Sequence, residues 1–303
     1  MTVSAFQGRI AVEPAASPHT FDSNSERWKF NRCTVRRTKE LLTSPGITGN
    51  RSLPVDRSRM GVYRVEGDLE INPSYQFLDL WLPRICGADE SSDTFEVADT
   101  LQPWGIRIDD VAKIVQYDDM LVNRAELRFA PGLLTLTLNV MGLAATETGL
   151  TFPAATFGTG DAYTMLAFHD AVFSLEPTSS GEGIVREGIL TVDNLIEPMA
   201  AAGSASTQSL RPAGRNVTLT LTNGLTADDW DELYGTETPW DATITSTYEN
   251  MTNVATVRNL MSPKETPVLN AKGDEVVLGL TFTAHSDASN SELTWTNDPN
   301  NAS

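Results

Sequence analysis

The residues best suited to move protons near neutral pH are three histidines, His19, His169 and His285, and they stand in three unlike contexts. None belongs to a zinc-binding HExxH, a nucleophile elbow GxSxG or a phosphate loop GxxxxGK(S/T), and no such motif occurs in the chain. His169-Asp170 follows an apolar stretch and reads as a surface pair. Asp228-Asp229-Trp230-Asp231-Glu232 is a dense acidic run, but carboxylates at a helix start favour the helix dipole without doing chemistry. Asp109-Asp110 and Asp118-Asp119 read as turns. Asp89, Glu90 and Asp93 could gather a cation, yet their spacing is not that of a calcium loop. Cys33 and Cys86 are the only cysteines and form no CxxC. Two inert thiols are favoured over a disulfide. Trp81, Trp104, Trp230 and Trp240 adjoin apolar stretches and read as core anchors, with a sugar-stacking row as the alternative. The expectation is no catalytic residue, no cofactor, no metal site, and a protein that is not an enzyme.

Charge is more telling. The chain has 40 acidic and 22 basic residues, a net charge of −18. Residues 1–158 hold 20 acids and 16 bases, a net of −4, whereas residues 159–303 hold 20 acids and 6 bases, a net of −14. Gripping nucleic acid needs Lys and Arg against phosphates, so a protein this acidic can surround DNA but not hold it. The bases cluster: Arg32, Arg36, Arg37, Lys39, Arg51, Arg57, Arg59 and Arg64 are opposed locally only by Glu40 and Asp56. No apolar run approaches the roughly 18 residues of a membrane span. The start of the chain lacks the basic and apolar pattern of a secretory signal, so cytoplasmic synthesis is expected.

These residues must be carried by strands. Residues 121–142 organise the chain. Arg124-Ala125-Glu126-Leu127-Arg128-Phe129 alternates charged and apolar, Ala130-Pro131-Gly132 suits a reversal, and Leu134-Thr135-Leu136-Thr137-Leu138-Asn139-Val140 alternates again. The reading is a hairpin with one face on a core. A strand is expected at 33–40 around Cys33 and Val35, then a long loop at 42–60, a strand at 62–71, and a helix at 74–82 opened by Asn72-Pro73. Pro83 and Gly87 bracket its end. Strands follow at 104–108, 111–117, 122–129 and 133–141. Residues 143–160 are small and polar and mark a boundary. Beyond it come strands at 164–175, 188–194 and 216–222, a long Ala/Ser/Gly loop at 197–214, a helix capped by Thr226 and closed by Gly235, and an alternating strand ending in Phe282 and Ala284. The order of strand, loop, strand, capped helix and strands occurs twice. Residues 33–87 parallel 188–235, which points to a duplication.

The phrases Gly61-Val62-Tyr63-Arg64-Val65-Glu66-Gly67-Asp68-Leu69-Glu70, Met120-Leu121-Val122-Asn123-Arg124-Ala125-Glu126-Leu127-Arg128-Phe129, Gly188-Ile189-Leu190-Thr191-Val192-Asp193-Asn194 and Leu278-Gly279-Leu280-Thr281-Phe282-Thr283-Ala284, in tandem arrangement, resemble the tail tube (major tail) proteins of long-tailed bacteriophages, in their long, duplicated form. The likeness spans most of residues 30–287. It implies a mainly β chain of two tandem tail-tube-type β-sandwich domains, each with one short α-helix, a long loop and a long β-hairpin. Residues 1–158 would be the first domain, with an N-terminal arm and the Arg-rich loop. Residues 159–303 would be the second, more acidic one. The resemblance also implies self-assembly into stacked rings around a hollow conduit for DNA ejection. Two fold copies per chain suggest a homotrimer ring of pseudo-sixfold symmetry. Expected partners are other copies of the chain, a tape-measure protein inside, and tail terminator and baseplate proteins at the ends. DNA would pass without specific binding, no membrane is involved, and the place is the virion tail, assembled in the host cytoplasm. Arg32, Arg36, Arg37, Arg51, Arg57 and Arg59 are expected to meet acidic surface of the second half on a neighbouring subunit in the stack. A β-sandwich receptor- or carbohydrate-binding virion protein is the alternative, which exposed aromatic rows would favour.

Overall fold

The computed structural model of the chain describes residues 9–13, 19–22, 25–44, 58–87, 93–153, 164–176, 184–224, 239–261 and 277–299. The first half forms β1 (Arg9–Glu13), β2 (Glu26–Arg27), β3 (Arg32–Cys33), β4 (Arg36–Thr43), β5 (Ser58–Ile71), helix α1 (Tyr75–Cys86), β6 (Thr94–Glu96), β7 (Trp104–Asp109), β8 (Ile114–Phe129), β9 (Thr135–Gly142) and β10 (Ala144–Thr146). The second half forms β11 (Ala171–Glu176), β12 (Ile184–Asp193), β13 (Ile196–Ala200), β14 (Thr207–Pro212), β15 (Asn216–Gly224), β16 (Trp240–Tyr248), β17 (Met251–Leu260), β18 (Val277–Thr283) and β19 (Leu293–Asp298). The fold is mainly β, of sandwich type.

Period-two alternation builds the central element. In β9, Leu136, Leu138 and Val140 are buried, and Thr135, Thr137 and Asn139 stand between them on the wet side. Across the hairpin, Leu127 faces Leu136 and Ala125 faces Leu138. Gly132 takes a φ of 116° in the reversal, a region that glycine enters without a Cβ penalty. The expected strands at 111–117 and 122–129 are one 16-residue strand, β8. It bends instead of stopping. Asp119 has a φ of 52°, and the pairing with β9 slips between Val122 and Arg124. The bend lets one strand serve two sheet regions. Its first part pairs with β7 and β10, its second with β9 and β12.

Seven strands therefore lie side by side in the order β4-β5-β9-β8-β12-β15-β18, every pair antiparallel. β7, β1 and β2 branch from the first part of β8. A second sheet runs β11-β16-β17-β19-β6, so a first-half strand completes a second-half sheet.

Helix α1 is almost enclosed. Tyr75, Phe77, Leu78, Trp81, Leu82, Ile85 and Cys86 are buried. Ser74, not Asn72, caps it, with its hydroxyl accepting from the Phe77 N–H at 3.1 Å. Asn72 is used elsewhere: its amide donates to the Leu134 carbonyl, and it accepts from Asn31. The helix also runs past Pro83 to Cys86 before Gly87, at a φ of 90°, closes it by donating to the Pro83 carbonyl. Second-half residues hold its ends. Asn297 donates to the Tyr75 carbonyl at 2.8 Å and accepts from Asn253, which in turn accepts from the Trp295 indole. Asn194 donates to the carbonyls of Ile85 and Val122. Both Asn194 and Asn297 are buried, so these bonds replace water that cannot reach them.

Three further expectations change. The expected loop at 197–214 is the β13–β14 hairpin, whose short Ala/Ser/Gly turn concealed an antiparallel pair from Ile196↔Pro212 to Ala200↔Thr207. The strand at 33–40 is broken into β3 and β4. The chain crosses Gly67 so closely there that a Cβ would lie 2.5 Å from the Val35 Cα, and Thr34 bonds Asp68 instead of continuing the ladder. The strand at 164–175 is interrupted by a 3-10 turn at Phe168–Asp170. The expected helix at 226–235 lies outside the described residues.

Candidate assembly interface

Of the six arginines singled out by their clustering, the four that are described lie in strands that pair with one another. Arg32 lies in β3, Arg36 and Arg37 in β4, and Arg59 in β5, while Arg51 and Arg57 lie outside the described residues. The described four do not share a face. Arg32 stands opposite Glu70 and Arg36 opposite Glu66, on the wet side of the sheet. With Thr34, Thr38, Asp68 and Asn139 they line a shallow hollow of ≈ 470 Å³. Arg37 points the other way, 3.6 Å from Glu147 with its guanidinium over the Tyr63 ring. Arg59 stands across from Leu42 near the far end of the β4–β5 pair.

That far end also carries Leu41, Leu42 and Met60, exposed by 55%, 51% and 68%. Sequence reading missed them. The available signal was the adjacent pair Leu41-Leu42, which breaks strand alternation beside a basic loop. No strand pairs with the outer edge of β3 and β4 among the described residues, and none of the eight β4 residues is buried. The opposite end of the seven-strand sheet is open too. Among the described residues, β18 pairs with β15 on one side and meets only Met261 on the other, at Thr283.

The wet face between these edges is ordered. Arg124 pairs with Glu126 and Arg128 with Glu187. Asn123, Asn139 and Asp68 form a chain of side-chain bonds at 3.0 and 2.8 Å. In the second half the same face carries Thr218, Thr220, Thr222, Thr281 and Thr283, with Thr220 and Thr281 in hydroxyl contact at 3.2 Å.

The residues weighed for chemistry are scattered. His19 is buried under β7, so close that a Cβ on Gly105 would lie 2.8 Å from its ring, and its Nε2 is 3.7 Å from Asp119. His169 and His285 are exposed in other places. Asp109 is turned to structure. Burial opposes its charge, but the Arg9 guanidinium and the Val111 N–H outweigh burial and hold its pKa below the ordinary value. Both cysteines are free thiols, and burial pushes Cys86 up to about 12. Trp28, Trp81, Trp104, Trp240 and Trp295 are all buried, so no described tryptophan is placed to stack on a sugar. Trp230, Asp89 and Glu90 lie outside the described residues.

A mainly β chain whose long sheet has unpaired outer strands among the described residues presents edges that a further strand can join. A family model described as phage tail tube protein matches residues 6–284, most of the chain, and the protein belongs to that family. It is a structural component of the bacteriophage virion. No curated protein matches it.

Proposed function

We propose that this tail tube protein joins two further copies in a ring of pseudo-sixfold symmetry, and that such rings stack into a hollow tube through which DNA leaves. Strand pairing supports reading residues 1–158 and 159–303 as two copies of one fold. β1-β7-β8-β10 in the first half has the same order as β11-β16-β17-β19 in the second. The set β3/β4-β5-β9 likewise matches β12-β15-β18.

The observation that carries the proposal is the joint between β8 and β12. Six residue pairs, from Gly188↔Phe129 to Asp193↔Arg124, weld the hairpin of the first half to the leading strand of the second. β3 and the start of β4 hold the place of β12 and have no such neighbour among the described residues. The β18 side of another copy supplies one. Each chain offers one edge of each kind, so a head-to-tail contact closes into a ring that leaves no edge exposed.

The wet face then lines the lumen. Along β8 its arginines are matched with carboxylates, Arg124 with Glu126 and Arg128 with Glu187. Phosphates gain few free cations there, and the chain's net charge of −18 repels them overall, so DNA slides without being held. The role is mechanical, with no reaction catalysed. Its expected partners, from the family, are a tape-measure protein within the lumen and terminator and baseplate proteins at the ends, with assembly in the host cytoplasm. The clustered arginines, Arg32, Arg36, Arg37, Arg51, Arg57 and Arg59, supply the cationic side of contacts between copies. Electron microscopy of purified protein tests the reading: rings with threefold averages and tubes are expected, and monodisperse single chains at high concentration would end it. Replacing Arg51, Arg57 and Arg59 with Ser should stop tube growth with the subunit still folded. Unchanged polymerisation in moderate salt would remove the role assigned to them.

A further inference from the structure

An open cleft of ≈ 670 Å³ lies where three distant segments meet. Asp99 comes from the loop after β6, Ala213 and Arg215 from between β14 and β15, and Asp287, Ser289 and Glu292 from the loop after β18. Arg215 is taken up internally, bonding Glu292 at 3.1 Å and the Ala98 carbonyl. The carboxylates of Asp99 and Asp287 are exposed. Asp287 is held ionised at about 2 by the N–H groups of Ser289 and Asn290 and the side chains of Asn290 and Asn259.

The chain contains a filled counterpart of this place. Beyond the end of β9, the free side of β5 is occupied by the turn of the β13–β14 hairpin. Tyr63 bridges Ser206, its N–H donates to the Ala205 carbonyl at 3.0 Å, and its carbonyl accepts from the Thr207 hydroxyl. Leu69 sits between Cys33 and Leu138, as Leu219 sits between Leu190 and Phe282. Stepping back six residues from each reaches Tyr63 in one half and Ala213 in the other. Ala213 lines the cleft.

We infer that this cleft receives the Arg-containing segment 44–57 of the neighbouring copy in the same ring. The inference rests on the ring reading above. The far part of β4 with the start of β5 holds the place of β13–β14, so the segment joining them would reach the next subunit as Ser206 reaches Tyr63. Arg51 and Arg57 bring positive charge to Asp99 and Asp287, and exposed Leu42 and Met60 flank the entry. The contact lies around the ring and not between rings.

Disulfide trapping tests this. Arg51→Cys and Ser289→Cys are combined with Cys33→Ser, and assembled tubes are oxidised and run under denaturing conditions. A ladder that stops at the trimer is expected. Intact tubes with no cross-link, or a ladder running past the trimer, overturn the inference and leave the ring reading standing. Wild-type protein that never forms rings overturns the ring reading itself. If the cysteine variant does not assemble, charge exchange decides: Asp99→Lys with Ser289→Lys should abolish tubes, and adding Arg51→Glu and Arg57→Glu should restore them. Loss without restoration counts against the contact, as does no loss.

Discussion

β12 lies beside β15 as β3 and β4 lie beside β5, yet the two places differ in every surface property. β12 is covered on its outer side by β8, buries Gly188, Leu190, Thr191 and Val192, and carries one base, Arg186. β3 and β4 are open, bury nothing, and carry Arg32, Arg36, Arg37 and Lys39. Covered edges can be apolar, whereas open edges need charge to discourage wrong pairing. The difference teaches that charge on a strand records what lies beside it in the isolated chain. An edge can be guarded until its proper neighbour arrives.

The comparison is broken most severely by separating the halves. Asn297→Ala removes the bond to the Tyr75 carbonyl and leaves the buried Asn253 amide N–H without its acceptor, and a loss of about 3 kcal/mol is expected in denaturant melts, with both halves unfolding together. A second blow falls on the open edge alone. Gly67→Ala would drive a Cβ into the Val35 backbone, which cannot turn aside, costing about 2 kcal/mol and displacing β3 and β4 while β12 keeps its exchange protection. Changing Leu41, Leu42 and Met60 to Ser should leave the melting midpoint within about 0.5 kcal/mol, since these side chains are exposed, and should slow tube formation measured by light scattering. The smallest effect sharpens the picture of the shared helix. Burial is the main cause raising the Asp79 pKa, aided by Asp93 and Asp298 and opposed by Asn297. A raised folded-state pKa means that the group favours folding at low pH and loses that benefit as pH rises through it. Asp79→Asn should therefore raise the melting temperature by about 1–2 °C at pH 7, with the gain gone below the unfolded carboxylate pKa.

Much of the sheet was legible because one face of it is wet. Alternation in β5, β8, β9, β12 and β15 reads directly from residues such as Thr135, Thr137 and Asn139, and α1 from Leu78, Trp81 and Leu82. What could not be read was pairing across long separations. Nothing local in Leu127 announces Leu190, or in Phe95 announces Trp295. β8 looked like two strands because the bend at Asp119 resembles a turn in composition. β13 and β14 were hidden by small residues that mask a short hairpin. The basic strands were visible as a cluster of arginines. The cleft was not, since residues 97–101, 213–215 and 286–292 meet only after folding.

The weld between β8 and β12 bears on how a tube could start. Of the six seams in a three-chain ring, three would be finished before any two molecules meet, their register set within one polypeptide. Closing the annulus would then take two encounters in place of five, with less than half the loss of translational freedom. Initiation should accordingly be less steep in protein concentration than for a six-chain ring, and each arriving brick would come with its first mortar already dry.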